Sequence, residues 1–179
     1  MQLIRRESSA TITARATDGA GVAVEPDSAK VTITRDSDGE VIADGAAVQV
    51  DGSKLACTVK ADDVPRVDLL HVTWEIVADG AASTLRQQVG VVGAFICSLQ
   101  EIAEAVEGSA RSEPTPEQLA AARAKAETLL EERCNVAFRP TYHREVLRGE
   151  GGEELVVSRP RLLSVRSVTI SGRPILIGE

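Results

Sequence analysis

Residues Thr115-Pro-Glu-Gln-Leu-Ala-Ala-Ala-Arg-Ala-Lys-Ala-Glu-Thr-Leu-Leu-Glu-Glu-Arg-Cys-Asn135 separate two parts of the chain that differ in character. Thr115 can accept from the Gln118 backbone N–H while the Gln118 side chain reaches back, a reciprocal capping box. Pro116 falls at the first helical position, where its missing donor costs nothing. Leu119, Ala122, Ala126, Leu129, Leu130 and Cys134 recur at helical spacing, which predicts an apolar stripe packed inward. Glu117, Lys125, Glu131 and Glu132 then face away, with Arg123 at the edge of the stripe. Asn135 suits a left-handed cap, so the helix spans about residues 116–134.

Upstream of this helix the periodicity is two. Ile12, Ala14 and Ala16 alternate with polar neighbours, as do Val31 and Ile33, Val48 and Val50, Leu55, Cys57 and Val59, Val72, Trp74 and Ile76, and Leu85, Val89 and Val91. Such short alternating runs read as half-buried strands. Asp-Gly pairs at 18–19, 38–39, 44–45, 51–52 and 79–80 fall between them, and Asp-Gly supplies the positive φ angles of tight hairpin turns. The pattern predicts a β-sandwich of immunoglobulin-like architecture over residues 1–93, with Trp74 as its core anchor. A second domain, 94–179, follows. It opens with a capping box at Ser98-Leu-Gln-Glu101 and a short helix over about 98–107, with Leu99, Ile102, Ala103 and Val106 on one face and Gly108 at its end. After the long helix, Tyr142–Arg148 and Glu153–Val157 flank Gly149-Glu-Gly-Gly152 as an expected hairpin. A further strand holds Val165, Val168 and Ile170, with a turn at Ser171-Gly172. The fold class is α+β, an immunoglobulin-like sandwich followed by a small helical and β-hairpin domain.

Of the 179 residues, 43% are hydrophobic, enough for a packed core, but aromatics are only 2%, so that core must be aliphatic. The net charge of −7 argues against a sequence-reading nucleic-acid binder, whose footprint would be basic. Cys57, Cys97 and Cys134 lack disulfide or zinc spacing and read as small buried hydrophobes. No secretory signal is visible, because Arg5, Arg6 and Glu7 follow Met1–Ile4 at once, and the most apolar run, Val89–Leu99, is too short to span a bilayer. The expectation is a soluble protein made in a reducing cytoplasm.

Catalytic and metal chemistry find little support in these residues. Gly149-Glu-Gly-Gly152 is followed by Glu153 and Glu154, which would repel phosphate, so it reads as a turn. Asp36-Ser-Asp-Gly-Glu40 has alternate carboxylates but lacks the flanking helices and distal glutamate of a calcium loop, and reads as a solvated hairpin turn. Asp62, Asp63 and Asp68 read as loop carboxylates. His71 should lie on the exposed face of its strand, and neither it nor His143 has a nucleophile elbow or helical ligand spacing nearby. No catalytic, cofactor-binding or metal residue is assigned. The constellation with most promise is the series Arg139, Arg144, Arg148, Arg159 and Arg161. It reads either as a solvated strand face or as a surface pairing with carboxylates of a neighbouring subunit, supplied by Glu131 and Glu132 at the helix end or by the acidic sandwich.

The order of elements from Ser98 to Ile170 resembles the head–tail connector (head-completion or adaptor) proteins of tailed bacteriophages. The residues that carry the resemblance are the capped helix Ser98–Val106, the Thr115–Asn135 helix, Phe138-Arg-Pro-Thr-Tyr-His-Arg-Glu-Val-Leu147, the glycine turn, and Arg159-Pro-Arg-Leu-Leu-Ser-Val-Arg-Ser-Val168. The resemblance implies a structural virion protein and no enzyme: a homo-oligomeric ring, commonly dodecameric, in the neck between capsid and tail. Its partners would be the portal protein and a tail or stopper protein. Double-stranded DNA would pass through without sequence-specific binding, and neither cofactor nor membrane is implied. Such a protein is made in the host bacterial cytoplasm. Members usually continue into a longer hairpin and often a closing helix, and the N-terminal sandwich is an addition to their pattern. The competing expectation is an immunoglobulin-like surface or tail-associated module that recognises sugar or protein.

Overall fold

A computed structural model describes residues 1–18, 20–106, 114–148, 151, 154, 156–158 and 162–175. The chain divides into two compact units, Met1–Tyr142 and His143–Glu179. The expected boundary at 93/94 falls inside the first unit, and both helices group with the strands that precede them.

The first unit is a two-sheet body. Strands β1 (Gln2–Arg5), β3 (Ser28–Arg35), β4 (Val41–Ala47), β7 (Asp68–Ala78) and β8 (Ala81–Val92) form one sheet in the order β1-β8-β7-β3-β4. Strands β2 (Ala10–Arg15), β5 (Gln49–Asp51) and β6 (Lys54–Val59) form the other, in the order β2-β6-β5. All pairings are antiparallel except β1 with β8. Alternation sends Val31, Ile33, Leu70, Val72, Trp74 and Val89 of the larger sheet and Ile12, Leu55 and Val59 of the smaller into one common core. Trp74 is fully buried, as expected, and His71 is exposed on the opposite face of the same strand.

Three expected Asp-Gly turns are found. Asp38-Gly39 lies between β3 and β4, Asp51-Gly52 between β5 and β6, and Asp79-Gly80 between β7 and β8, where both residues have positive φ and Ala78 pairs with Ala81. Gly19 lies outside the described residues. Asp44-Gly45 is different: it sits within β4, where the pairing with β3 shifts register and Gly45 adopts φ +57°. The extra residue makes a bulge in an edge strand, which blunts that edge instead of reversing the chain. Strand β1 has no counterpart in the sequence reading, since four residues before Arg6 carry too little alternation to register. Asp68 also corrects its expectation. It is buried at the start of β7, where its carboxylate accepts from the Ser37 N–H (3.2 Å) and the Ser37 hydroxyl.

The helices are α1 (Leu99–Val106) and α2 (Pro116–Cys134), packed on each other. Both expected capping boxes are present. Ser98 and Glu101 exchange bonds of 3.1 and 2.7 Å, and Thr115 and Gln118 exchange bonds of 3.3 and 2.9 Å. On α1, Leu99, Ile102, Ala103 and Val106 are each half-buried on one face, and the expected stop at Gly108 lies outside the described residues. Asn135 closes α2 in the left-handed conformation, φ 49° and ψ 40°. No helix of the described residues is long and apolar enough to cross a membrane.

In the second unit, β9 (Val168–Ile170) and β10 (Arg173–Ile175) pair across Ser171-Gly172, the expected turn, with φ +48° and +79°. Of the hairpin expected around Gly149–Gly152, residues 149, 150, 152, 153 and 155 lie outside the described residues, and 142–148, 151, 154, 156 and 157 carry no ladder among those described. A bond of 3.1 Å from the Ser158 N–H to the Glu145 carboxylate occurs instead. A two-stranded hairpin without an apolar layer beneath it is marginal in water. No described residue of this unit is buried.

Candidate functional site

The expected apolar stripe of α2 is turned outward. Leu129 is 50% exposed and Leu130 47%, and Ala122, Ala126 and Cys134 are exposed beside them. Of the stripe, only Leu119 is partly covered. The covered face carries Ala120, Arg123, Ala124, Glu127 and Glu131, spaced three or four apart, and Glu127 is its one buried residue. Charge goes inward because partners await it there.

Beyond Asn135 the chain folds back along the last turn of α2. The Val136 N–H donates to the Glu131 carbonyl at 3.2 Å, and the Phe138 and Arg139 N–H groups donate to Glu131 Oε1 at 3.1 and 3.3 Å. The Arg139 guanidinium then grips two carboxylates. Its Nε and Nη2 meet Glu131 Oε1 and Oε2 at 3.2 and 2.8 Å, and its Nη1 meets Glu127 Oε2 at 2.9 Å. The remaining Glu127 oxygen accepts from the Ile96 N–H at 2.7 Å. One turn earlier, Arg123 lies 3.5 Å over the Phe95 ring and donates to the Cys97 carbonyl at 3.3 Å. Gly93 completes the arrangement. Its N–H donates to the Pro140 carbonyl at 3.1 Å, and a Cβ on Gly93 would stand 3.1 Å from Pro140 Cγ. Three segments are thus clasped together: the stretch leaving β8, the inner face of α2, and residues 138–140.

The electrostatics follow from this geometry. Bonding to the Arg139 guanidinium holds the Glu131 carboxyl below its ordinary range, and the same contact raises Arg139. Burial lowers Arg123, opposed by the nearby Glu127 charge. A planar fork between two carboxylates gives fixed geometry, which makes this a tether and not an acid–base pair.

Of the residues expected to face a neighbouring subunit, Glu131 and Arg139 do meet, but within one chain. Glu132, Arg144 and Arg148 are exposed, whereas Arg159 and Arg161 lie outside the described residues. The sequence reading missed Glu127 and Phe95. The signal for Glu127 is the charged series Arg123, Glu127 and Glu131 at helical spacing, which charge alone would send to solvent. His71 bonds Asp36 at 2.9 Å on the outer face of the larger sheet, and His143 is exposed. The Asp36–Glu40 carboxylates sit at the β3–β4 turn, where Arg35 pairs with Asp38 (3.4 Å) and with Glu40, and Arg66 pairs with Asp38. The cysteines depart from a uniformly buried reading: Cys57 and Cys97 are half-buried and Cys134 is exposed. Burial pushes the Cys57 thiol up, which disfavours the reactive thiolate.

Comparison with protein-family models, with curated proteins and with solved structures gave no match.

Proposed function

We propose that this is a structural virion protein and not an enzyme: a ring adaptor between portal and tail that prolongs the DNA channel. The observation that carries this reading is where apolar surface is left exposed. Of the 15 large hydrophobic side chains exposed among the described residues, nine lie between Leu129 and Ile170, in the part that resembles the connectors. Apolar side chains left exposed within one stretch of the sequence are what a chain that assembles offers to a neighbour, and that supports the reading. The charged groups of the first unit that come together do so as tethers, which suits a scaffold.

The N-terminal body is read as immunoglobulin-like. Sheets ordered β1-β8-β7-β3-β4 and β2-β6-β5 support that reading, which takes β4 as an added edge strand and β1 as moved beside β8. A sugar-binding module is the weaker reading. Such a face needs rings for stacking, and the four aromatic residues lie elsewhere: Trp74 in the core, Phe95 under Arg123, and Phe138 and Tyr142 beyond α2.

The test is size-exclusion chromatography with light scattering, on the protein alone and mixed with the portal protein of the same virus. A particle of many protomers, seen as a ring by electron microscopy, is expected. Strict monomers that ignore portal would sink the reading.

A further inference from the structure

We propose that the clasp is a charge-operated latch. While Glu127 and Glu131 are ionised it holds α1 and α2 to the strands. When either is neutralised it opens and frees both helices from an intact β-core.

The fastening is polar. Among the described residues, every member of the core that joins the two sheets lies between Ile4 and Val91. Helix α1 has no buried residue, and the one buried residue of α2 is Glu127. Neither helix is therefore anchored by a buried apolar side chain. Lys54 of β6 pairs with Glu117 at 3.6 Å near the start of α2, but both groups are exposed, and exposed pairs hold weakly. Residues 93–98 carry neither strand nor helix, so they can reorient without breaking a ladder.

The charges decide when it opens. Two cations, Arg123 and Arg139, share two carboxylates, Glu127 and Glu131. Burial lowers Arg123, the charges of Glu127 and the Cys97 thiol oppose that, and the charge of Arg139 adds to it. The two guanidinium groups thus feel each other. From α1, Glu101 and Glu104 are engaged by Ser98 and Gln100. Without one carboxylate charge, two like charges share a single counter-charge in a site shielded from water, where repulsion is strong. The Arg139 bond holds the Glu131 carboxyl below its ordinary range, so the latch stays shut at neutral pH and opens as pH falls through the folded value.

The clasp supplies its own reporters. The Gly93 N–H donates to the Pro140 carbonyl, the Ile96 N–H to Glu127, and the Phe138 and Arg139 N–H groups to Glu131. Glutamine at 127 or 131 keeps the shape and one acceptor oxygen but removes the charge. The experiment is residue-resolved amide hydrogen exchange on the full chain at neutral pH. Glu127→Gln and Glu131→Gln should each cost these four amides about 100-fold in protection, lost together, the scale of breaking a buried pair. The ladder amides of β3 and β7 should keep the protection of the parent. Trp74, the one tryptophan, should keep the emission of a buried indole. Unchanged protection at the four amides would show that charge does not hold the clasp. Equal loss in β3 and β7 would show that clasp and core open as one. Either result overturns the proposal. Should a variant fail to fold, the parent followed from neutral pH into acid gives the same readout, corrected for the intrinsic exchange rate. Release of the four amides ahead of the strands is expected there, and release with the strands, or none, overturns it.

Discussion

Trp74 carries its indole N–H into the core with no hydrogen-bond partner among the described residues. Two substitutions there should therefore behave unequally. Trp74→Ala empties the largest buried volume and should cost about 3–5 kcal/mol. Trp74→Phe also loses volume, but it removes a donor whose unpaired burial costs about 1–3 kcal/mol, so its net penalty should be well below that of alanine. Urea denaturation of the two variants checks this. Equal penalties would show that the N–H is bonded in solution. Leu129 gives the converse case. A buried stripe would make Leu129→Ala cost about 2–5 kcal/mol. At 50% exposure the change should stay within about 1 kcal/mol in the dilute, unassembled chain.

At the level of elements, the clasp decides how the helices are held to the strands that precede them. Arg139 is 8% exposed and Glu127 2%, so Arg139→Gln strips a buried carboxylate of its counter-charge and should cost about 3 kcal/mol. The pH dependence has a definite sign. The Glu131 carboxyl is lowered in the folded chain, so its contribution is complete above the ordinary carboxylate value of about 4.3 and is lost as pH falls through the folded value. Stability measured from pH 6 to pH 2 should fall in acid for the parent, with a shallower fall in Arg139→Gln. Identical curves would remove the clasp from the acid response. The strands and caps were legible because their signals are local: alternation, Asp-Gly, Thr-Pro-Glu-Gln. The inner face of α2 was not, because a pair such as Glu127–Arg139 joins residues 12 apart across a chain reversal. Counting apolar residues also assumes that the inside of a helix is apolar. Asp44-Gly45 misled for a similar reason, since a positive-φ glycine serves a bulge as well as a turn.

For the whole molecule, the question is what an acidic protein whose residues 143–179, its arm, carry six arginines against five glutamates does with DNA. On the ring reading, a net charge of −7 would oppose the phosphate backbone and keep a duplex from adhering to the wall of the channel. The arm supplies the one contrary element, six arginines within 37 residues. If all six neutralised phosphates, the slope of log K against log salt would be about −5, and binding would be strong at low salt. If those arginines are engaged within the protein or its assembly, few guanidinium groups remain for DNA. Fluorescence anisotropy with a labelled duplex, on the assembled protein across 50–200 mM salt, separates the two cases. The expected result is a Kd weaker than about 10⁻⁴ M near physiological salt, with a slope no steeper than about −2. A Kd below about 10⁻⁶ M with a slope near −5 would mean that the arms grip the duplex, and a protein that grips DNA cannot serve as its passive conduit.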